Sequence, residues 1–512
     1  NGKGVNIIRL LWRGKDLFMH MLIIGPPRSG KTSTILKPMI YQLLKLKARG
    51  VPLGLSVIEP KGDLAYFTAR AARLAGLPVV HIDPVPPARR GYAAEDDRHY
   101  PSAGFNPLSG DEDLVAEATV TVLQSLGNMG AQDPYFRQVQ ELAARMTVKL
   151  LKRLYGERVD LMRVVETLRA TDLMRAEVAR LKAKGTGPEI VQFFESEMLS
   201  ELAQQYRQHA TGLRVQLENL VANANLRKII AGESTINIDA HYAYGGILAA
   251  NTALGELGPS GDALGQYLIM HLQAGAYRRP GTEKTRIPHF LIIDEVARYI
   301  NPDFERFLSL APEYRVTGIL ATQSLGQLEV QAGKYSPRAM KQIILTNTRN
   351  KIIFGGISAQ DAKELADELG KNQIIVRQAT YRTRVLIPAL LPHDYRDTES
   401  EEYRFPYTQL MDGLPAFHYV ARLARDGVPQ KPVVGRGGFV PADWEEEFRT
   451  LRKSVPERLM LPAPAREPGP KEVVWTPETP AQGALPLEDA QVNVLFEKPK
   501  RRRSRKKKQE GD

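Results

Sequence analysis

The sequence predicts an α/β fold in which a parallel sheet covered by helices is interrupted by an all-helical insertion and followed by a basic tail. Three observations carry this. Short apolar runs alternate with helix-length segments in both the first and the third quarters of the chain, the pattern that encodes parallel sheets. Between residues 112 and 226, Pro and Gly are scarce and apolar residues recur at helical spacing, as at Leu142, Met146 and Leu150. The chain then ends in "KPKRRRSRKKKQEGD", a like-charge block expected to be disordered by self-repulsion.

Taken in order, a strand is expected at 21–24, a helix from Lys31 to Leu46, a strand at 55–58, a helix at 63–74 and a strand at 79–82, with a Pro-, Arg- and acid-rich loop at 84–111. Strand-like runs return at 246–250, 290–294, 316–322 and 351–354, with helices at 262–278 and 359–370 between them. The sheet therefore resumes after the insertion. This divides the chain into one discontinuous α/β unit, 1–111 with 227–438, an all-α unit at 112–226, a Pro-rich linker at 439–497 and the tail at 498–512.

At 512 residues the chain is long enough for a large core and two or more domains. Its 70 Lys and Arg against 58 Asp and Glu, a net charge of +12, suit a polyanionic partner. With no Cys there are no disulfides or thiolate metal ligands, and the nine His never fall in HxH or HExxH spacing, so no zinc site can be argued. No apolar run of about 18 residues is present to span a membrane.

The chemistry begins at Gly25, Pro26, Pro27, Arg28, Ser29, Gly30, Lys31 and Thr32, which fit G-x-x-x-x-G-K-[ST] between an apolar strand and a helix. Backbone N–H groups of such a loop, with the following Ser33 at the helix start, point donors at phosphate while the helix dipole favours the anion. Lys31 would reach the β- and γ-phosphates of ATP, and the Thr32 hydroxyl would bind Mg²⁺. In "HFLIIDEVARYI", an apolar run delivers Asp294 and Glu295 to a strand end, where ligands gather in open α/β sheets. Asp294 would complete the Mg²⁺ shell, and Glu295 would orient and deprotonate water. "VTGILATQSLGQLE" then delivers Gln323, an uncharged group suited to sensing a γ-phosphate. "EPKGD" reads locally as a tight turn at Lys61-Gly62 with Asp63 capping the next helix, with a direct nucleotide contact as the alternative.

Together these stretches resemble the type IV secretion coupling proteins, the TraG/TraD-like ATPases of conjugation, and more distantly other RecA-like DNA pumps. The resemblance rests on "HMLIIGPPRSGKTSTILKPMI", "VIEPKGDL", "FNPL", "LIIDEVARY", "ATQSLGQL" and "NKIIFGG", in matching order, over residues 5–435. It implies a RecA-like nucleotide-binding domain, an all-α domain for substrate choice, and nucleotide at the interfaces of a homo-hexameric ring around DNA. It also implies single-stranded DNA with a relaxase as cargo, channel components as partners, and work in the cytoplasm at the inner face of the cell membrane. The family commonly carries a membrane-spanning N-terminus; here the chain begins at Asn1, 24 residues ahead of Gly25, so the resemblance implies either an anchor ahead of Asn1 or the membrane-free branch of the family. An arginine ahead of the glutamine strand serves the neighbouring site in many members, and Arg315 and Arg349 are the candidates here.

The expected function is ATP-driven DNA translocation toward a type IV secretion channel. Its alternatives are a DNA pump of repair or segregation and a nucleotide-switched substrate receptor. For the tail, phosphate binding, an anionic leaflet and a solvated terminus all stay open. If its nine Lys and Arg between Lys498 and Lys508 contact phosphates, deleting residues 498–512 should weaken DNA binding and flatten the dependence of log K on log salt by several units. An unchanged slope in a salt titration would leave the solvated terminus.

Overall fold

The computed structural model describes residues 10–86, 102–126, 134–200, 203–380, 383–384, 387–388, 394–452 and 492–494. Most of the expected Pro-rich linker and the whole basic tail lie outside the described residues.

Nine strands form one sheet: β1 (Met21–Ile24), β2 (Gly54–Glu59), β3 (Val80–Ile82), β4 (Ile247–Asn251), β5 (His289–Ile293), β6 (Val316–Thr322), β7 (Asn350–Phe354), and, after a separate hairpin of β8 (Lys371–Thr380) and β9 (Asp394–Tyr403), β10 (His418–Arg422) and β11 (Val433–Arg436). Their order across the sheet is β11-β10-β7-β1-β6-β5-β2-β4-β3. From β7 to β3 all pairings are parallel, and β10 and β11 add an antiparallel edge. Strands β1, β2, β4, β5, β6 and β7 are buried along their whole length. Burial on both faces is why they read as continuous apolar runs rather than alternating ones.

Helices cover the two faces. The segment after the glycine-rich loop starts under-wound at Lys31–Leu36 and continues as α1 (Lys37–Ala48), while α2 (Asp63–Leu74) follows β2. Between Ile82 and Ile247 the described residues contain helices and no strand: α3 (Glu112–Leu126), α4 (Pro134–Tyr155), α5 (Leu161–Arg169), α6 (Thr171–Lys184), α7 (Pro188–Phe193), α8 (Ala203–Ala222), α9 (Ala224–Ile230) and α10 (Ile238–Ala243). In α4, Leu150 is buried and Leu142 and Met146 are half-buried, so the helical stripe is packing surface. These helices meet the sheet layer through α11 (Pro259–Tyr277), where Ser125 donates to Gln266 at 2.6 Å and His271 bonds the Pro107 carbonyl at 2.9 Å, and α12 (Pro337–Asn347) and α13 (Ala359–Leu369) come before and after β7 in the chain. No described helix is long and apolar enough to cross a membrane.

Two local readings are corrected. Asp63 is the first helical residue of α2 and caps nothing; Glu59, 1% exposed, accepts from the backbone N–H groups of Leu64 at 2.9 Å, Ala65 at 3.1 Å and Lys61 at 3.1 Å. The chain doubles back through Gly62 (φ +96°), a conformation open to glycine, which brings the earlier carboxylate under the helix start. The linker expected from residue 439 begins instead with a helix, α14 (Trp444–Arg452). Trp444 and Phe448, four residues apart, share one face: Trp444 packs on Phe67 at 4.8 Å and the buried Phe448 on Tyr41 at 5.6 Å. Arg70 forks onto Glu445, and Glu447 takes Tyr41 and Lys45.

Burial raises the Glu59 carboxyl from 4.5 to about 7 against the pull of its backbone donors. Its folded value lies above its unfolded one, so its stabilising contribution is full below pH 4.5 and is lost as the pH rises through about 7. Glu59→Gln should therefore flatten the pH dependence of the unfolding midpoint between those limits; the same slope in both proteins would refute the shift. Phe448→Ala should raise the local opening of α14 by about 100-fold, the scale of a large aromatic lost from a core, seen as faster amide exchange confined to 444–452. Unchanged exchange would refute the docking.

Candidate nucleotide site

Parallel pairing sets the site. The register Ile24↔Thr322 and Ile293↔Leu320, with Ile58↔Ile293, brings the C-terminal ends of β1, β6, β5 and β2 to one edge. Gly25, Gln323, the Asp294–Glu295 pair and the Glu59–Gly62 turn leave the sheet there as neighbours, tied by Gly25 N–H to Thr322 O at 3.2 Å and Asp294 N–H to Ile58 O at 3.0 Å.

The loop from Gly25 to Thr32 closes on itself. A Cβ on Gly25 would stand 2.7 Å from both Phe354 Cβ and Ser29 Oγ, and one on Gly30 (φ +106°) 2.8 Å from Phe417. Side chains cannot occupy either position without displacing the loop. Arg28 also takes a left-handed φ of +63°. Pro26, Pro27 and Arg28 face outward, while the Ser29 hydroxyl is buried with no hydrogen-bond partner among the described residues. Lys31 is buried and its ammonium donates to the Gly25 carbonyl and, at 3.3 Å, to that of Pro26. Desolvation lowers its pKa, opposed by the charges of Asp294 and Glu295. Ser33 follows at the helix start, half-buried.

Across from the loop, Thr32 Oγ1 donates to Asp294 Oδ2 at 3.1 Å. Burial and the adjacent Glu295 raise the Asp294 pKa, with the Thr32 hydrogen bond and Lys31 acting the other way. Glu295 is buried and held at φ +55°, a strained conformation for a residue with a side chain and one that clusters at functional sites. Gln323 Nε2 donates to Glu295 Oε1 at 2.6 Å, and Lys61 Nζ stands 4.0 Å from the same oxygen. The structure thus brings together Lys31, Thr32, Asp294, Glu295 and Gln323.

The two arginines lie elsewhere. Both precede strands, β6 and β7, at the opposite edge of the sheet. Arg315 is buried, its guanidinium 5.2 Å over the Phe18 ring and donating to the Glu283 carbonyl at 3.1 Å. Arg349 is exposed and donates to the Gly427 carbonyl at 3.3 Å. Of the two, only Arg349 presents its charge at the surface.

Sequence reasoning missed three residues here. Glu59 and Lys61 belong to a motif read first as a turn and second as a nucleotide contact, and neither was named as a site residue, although an acid at a strand end was a usable signal. Phe417 (φ +60°) packs beside Gly30 from far along the chain, and nothing local marks it.

The residues fit a triphosphate with a divalent cation: a backbone cradle too tight for side chains, a buried lysine, an orphaned buried hydroxyl, and the hard oxygens of Thr32 and Asp294 within hydrogen-bond distance.

Comparison with known proteins agrees with this geometry. Residues 288–404, which hold Asp294, Glu295 and Gln323, match the family model described as the TraM recognition site of TraD and TraG. No curated protein sequence matches significantly. Among solved structures, the unbound monoclinic form of the bacterial conjugative coupling protein TrwBdeltaN70 is 15% identical with a TM-score of 0.58, over 83% of this chain and 86% of that one. TrwB in complex with ADP and Mg²⁺ gives 14%, 0.56, 86% and 97%, and TrwB with a non-hydrolysable ATP analogue gives 15%, 0.55, 86% and 91%. Over most of its length, then, the chain shares the fold of the conjugative coupling protein TrwB, and its segment 288–404 is similar to the TraM recognition site of TraD and TraG.

Proposed function

We propose that this chain is an ATP-hydrolysing motor that moves DNA toward a type IV secretion channel during conjugation. The observation that carries it is the meeting of three strand ends at the glycine-rich loop, with Thr32 on Asp294 and Gln323 on Glu295. A nucleotide cradle alone would only bind; an acid beside it, held by an amide, is what hydrolysis requires.

In this reading the loop's N–H groups and Lys31 hold the phosphates, and Thr32 and Asp294 hold Mg²⁺, which when bound would neutralise charge on the β- and γ-oxygens. Glu295 accepts a proton from the attacking water. One of its oxygens is engaged by Gln323, which leaves the other for that water and fixes the carboxylate's plane. Gln323 also opens the segment closed by Gln327, whose Oε1 accepts from Gln323 N–H and from Thr322 Oγ1, both at 3.2 Å. A change in the Gln323 side chain on phosphate loss is thereby passed to that loop.

Further parts of the proposal are a homo-hexamer, with Arg349 as the arginine offered to a neighbour, the helices of 112–226 for substrate choice, and single-stranded DNA with a relaxase as cargo. The net charge of +12 supports a polyanionic partner, and the match to a TraM recognition site supports a protein bound to the transferred DNA. Membrane association would come through a partner or a further segment.

At low salt with DNA, the chain should hydrolyse ATP, and Glu295→Gln should reduce turnover by roughly 10²- to 10⁴-fold while retaining MgATP binding. Lys31→Ala should lose binding with the fold intact. Turnover in Glu295→Gln equal to the parent's would remove Glu295 from the reaction, and binding without DNA-stimulated turnover would remove the motor.

A further inference from the structure

The antiparallel edge of the sheet returns the chain to the glycine-rich loop from the side opposite the acids. Just before β10, Phe417 sets its ring against Gly30, closely enough to exclude a Cβ there. Just after β11, Gly437 donates its N–H to the Phe417 carbonyl at 2.9 Å and lies on Thr34, where a Cβ would meet the hydroxyl oxygen at 2.2 Å. Two residues on, Phe439 packs edge-on against Phe417, ring centroids 5.3 Å apart at 76°, and is itself 58% exposed. The left-handed φ of +60° at Phe417 is strain that a bulky residue seldom carries. A half-bare phenyl ring stacked on a strained neighbour, with Phe417 on Gly30 and Gly437 on Thr34 at the start of the phosphate helix, is surface that folding alone does not require.

We infer that Phe417 and Phe439 form a stacking platform for the nucleobase of the nucleotide held at Gly25–Thr32. This rests on the nucleotide-binding reading of that loop. The two borders of the loop differ in chemistry. Asp294, Glu295 and Lys61 line one, charged and suited to the terminal phosphate and its cation. The other carries the aromatic pair Phe417 and Phe439, whose rings offer an apolar face. Once the phosphates lie in the cradle with their reacting end toward Glu295, the nucleoside leaves toward the other border, and a π face there binds any base without reading its edge.

The test compares MgADP with magnesium pyrophosphate, which has the same two phosphates but no base, by calorimetric titration of the full chain and of Phe439→Ala, Phe439→Trp and Lys31→Ala. The parent should bind MgADP more tightly than pyrophosphate. Phe439→Ala should weaken MgADP by about 5- to 150-fold, the range of one lost base–aromatic stack, with pyrophosphate unchanged, and Phe439→Trp should retain MgADP affinity. Lys31→Ala should lose both ligands. Parental MgADP affinity in Phe439→Ala, equal loss of both ligands in that variant, or a parent that does not distinguish the two ligands would overturn the platform while leaving the cradle in place. A parent that binds neither ligand would overturn the cradle and the platform with it.

Discussion

Everything at the candidate site depends on β1 being paired in parallel between β6 and β7. That pairing fixes where Gly25 leaves the sheet and, through Thr322, where Gln323 leaves beside it. One more strand across, β5 delivers Asp294 and Glu295 in the same direction. Parallel strands all end at one edge, so residues up to 298 positions apart in sequence become neighbours without a dedicated scaffold. A shift of register by one residue would move Glu295 to the other face of its strand and separate it from Gln323.

The electrostatics at that edge follow from burial. Lys31, Asp294, Glu295 and Glu59 are all nearly inaccessible, and a charge in such a place is costly unless paired. Desolvation lowers the pKa of Lys31 and raises those of Asp294 and Glu59, so each is pushed toward its neutral form. Lys31 and Asp294 oppose that push in each other, whereas Asp294 pushes Glu59 further and the backbone N–H groups of Ala65 and Lys61 hold it back. The unpartnered Ser29 hydroxyl and the left-handed backbone at Arg28 and Glu295 belong to the same arrangement, local cost held in place by a rigid sheet.

The C-terminal third acts as a cover. Strands β10 and β11 extend the sheet, the chain crosses the start of the phosphate helix at Gly437, and α14 clamps α1 and α2 through Trp444, Phe448 and the ion pairs of Arg70 and Lys45. The hairpin of β8 and β9 stands apart from this layer. It is held by cross-strand pairs such as Arg377 with Asp397 at 2.7 Å, and its exposed Ile375 and Val376 leave it without a buried face.

The sequence by itself determined the parallel sheet, because strands buried on both faces must be continuously apolar, and it located Asp294, Glu295 and Gln323, because each sits where such a run stops, and Lys31 and Thr32 by the spacing of the glycine-rich loop that follows one. It could not show β8 and β9, because the apolar Ile374, Ile375 and Val376 of β8 are consecutive and fall on both sides of the strand with no period of two, nor α14, whose apolar pair is too short to stand out from its acidic neighbours. That Glu59 rather than Asp63 caps α2 was decided by the turn at Gly62, which reverses the chain so that an earlier side chain meets later N–H groups. Which acid faces which amide, that Arg315 is buried while Arg349 is not, and that Phe417 packs on Gly30 with Phe439 against it were decided only by tertiary structure. Local pattern records what a residue needs around it, whereas long-range packing selects which distant residue supplies it.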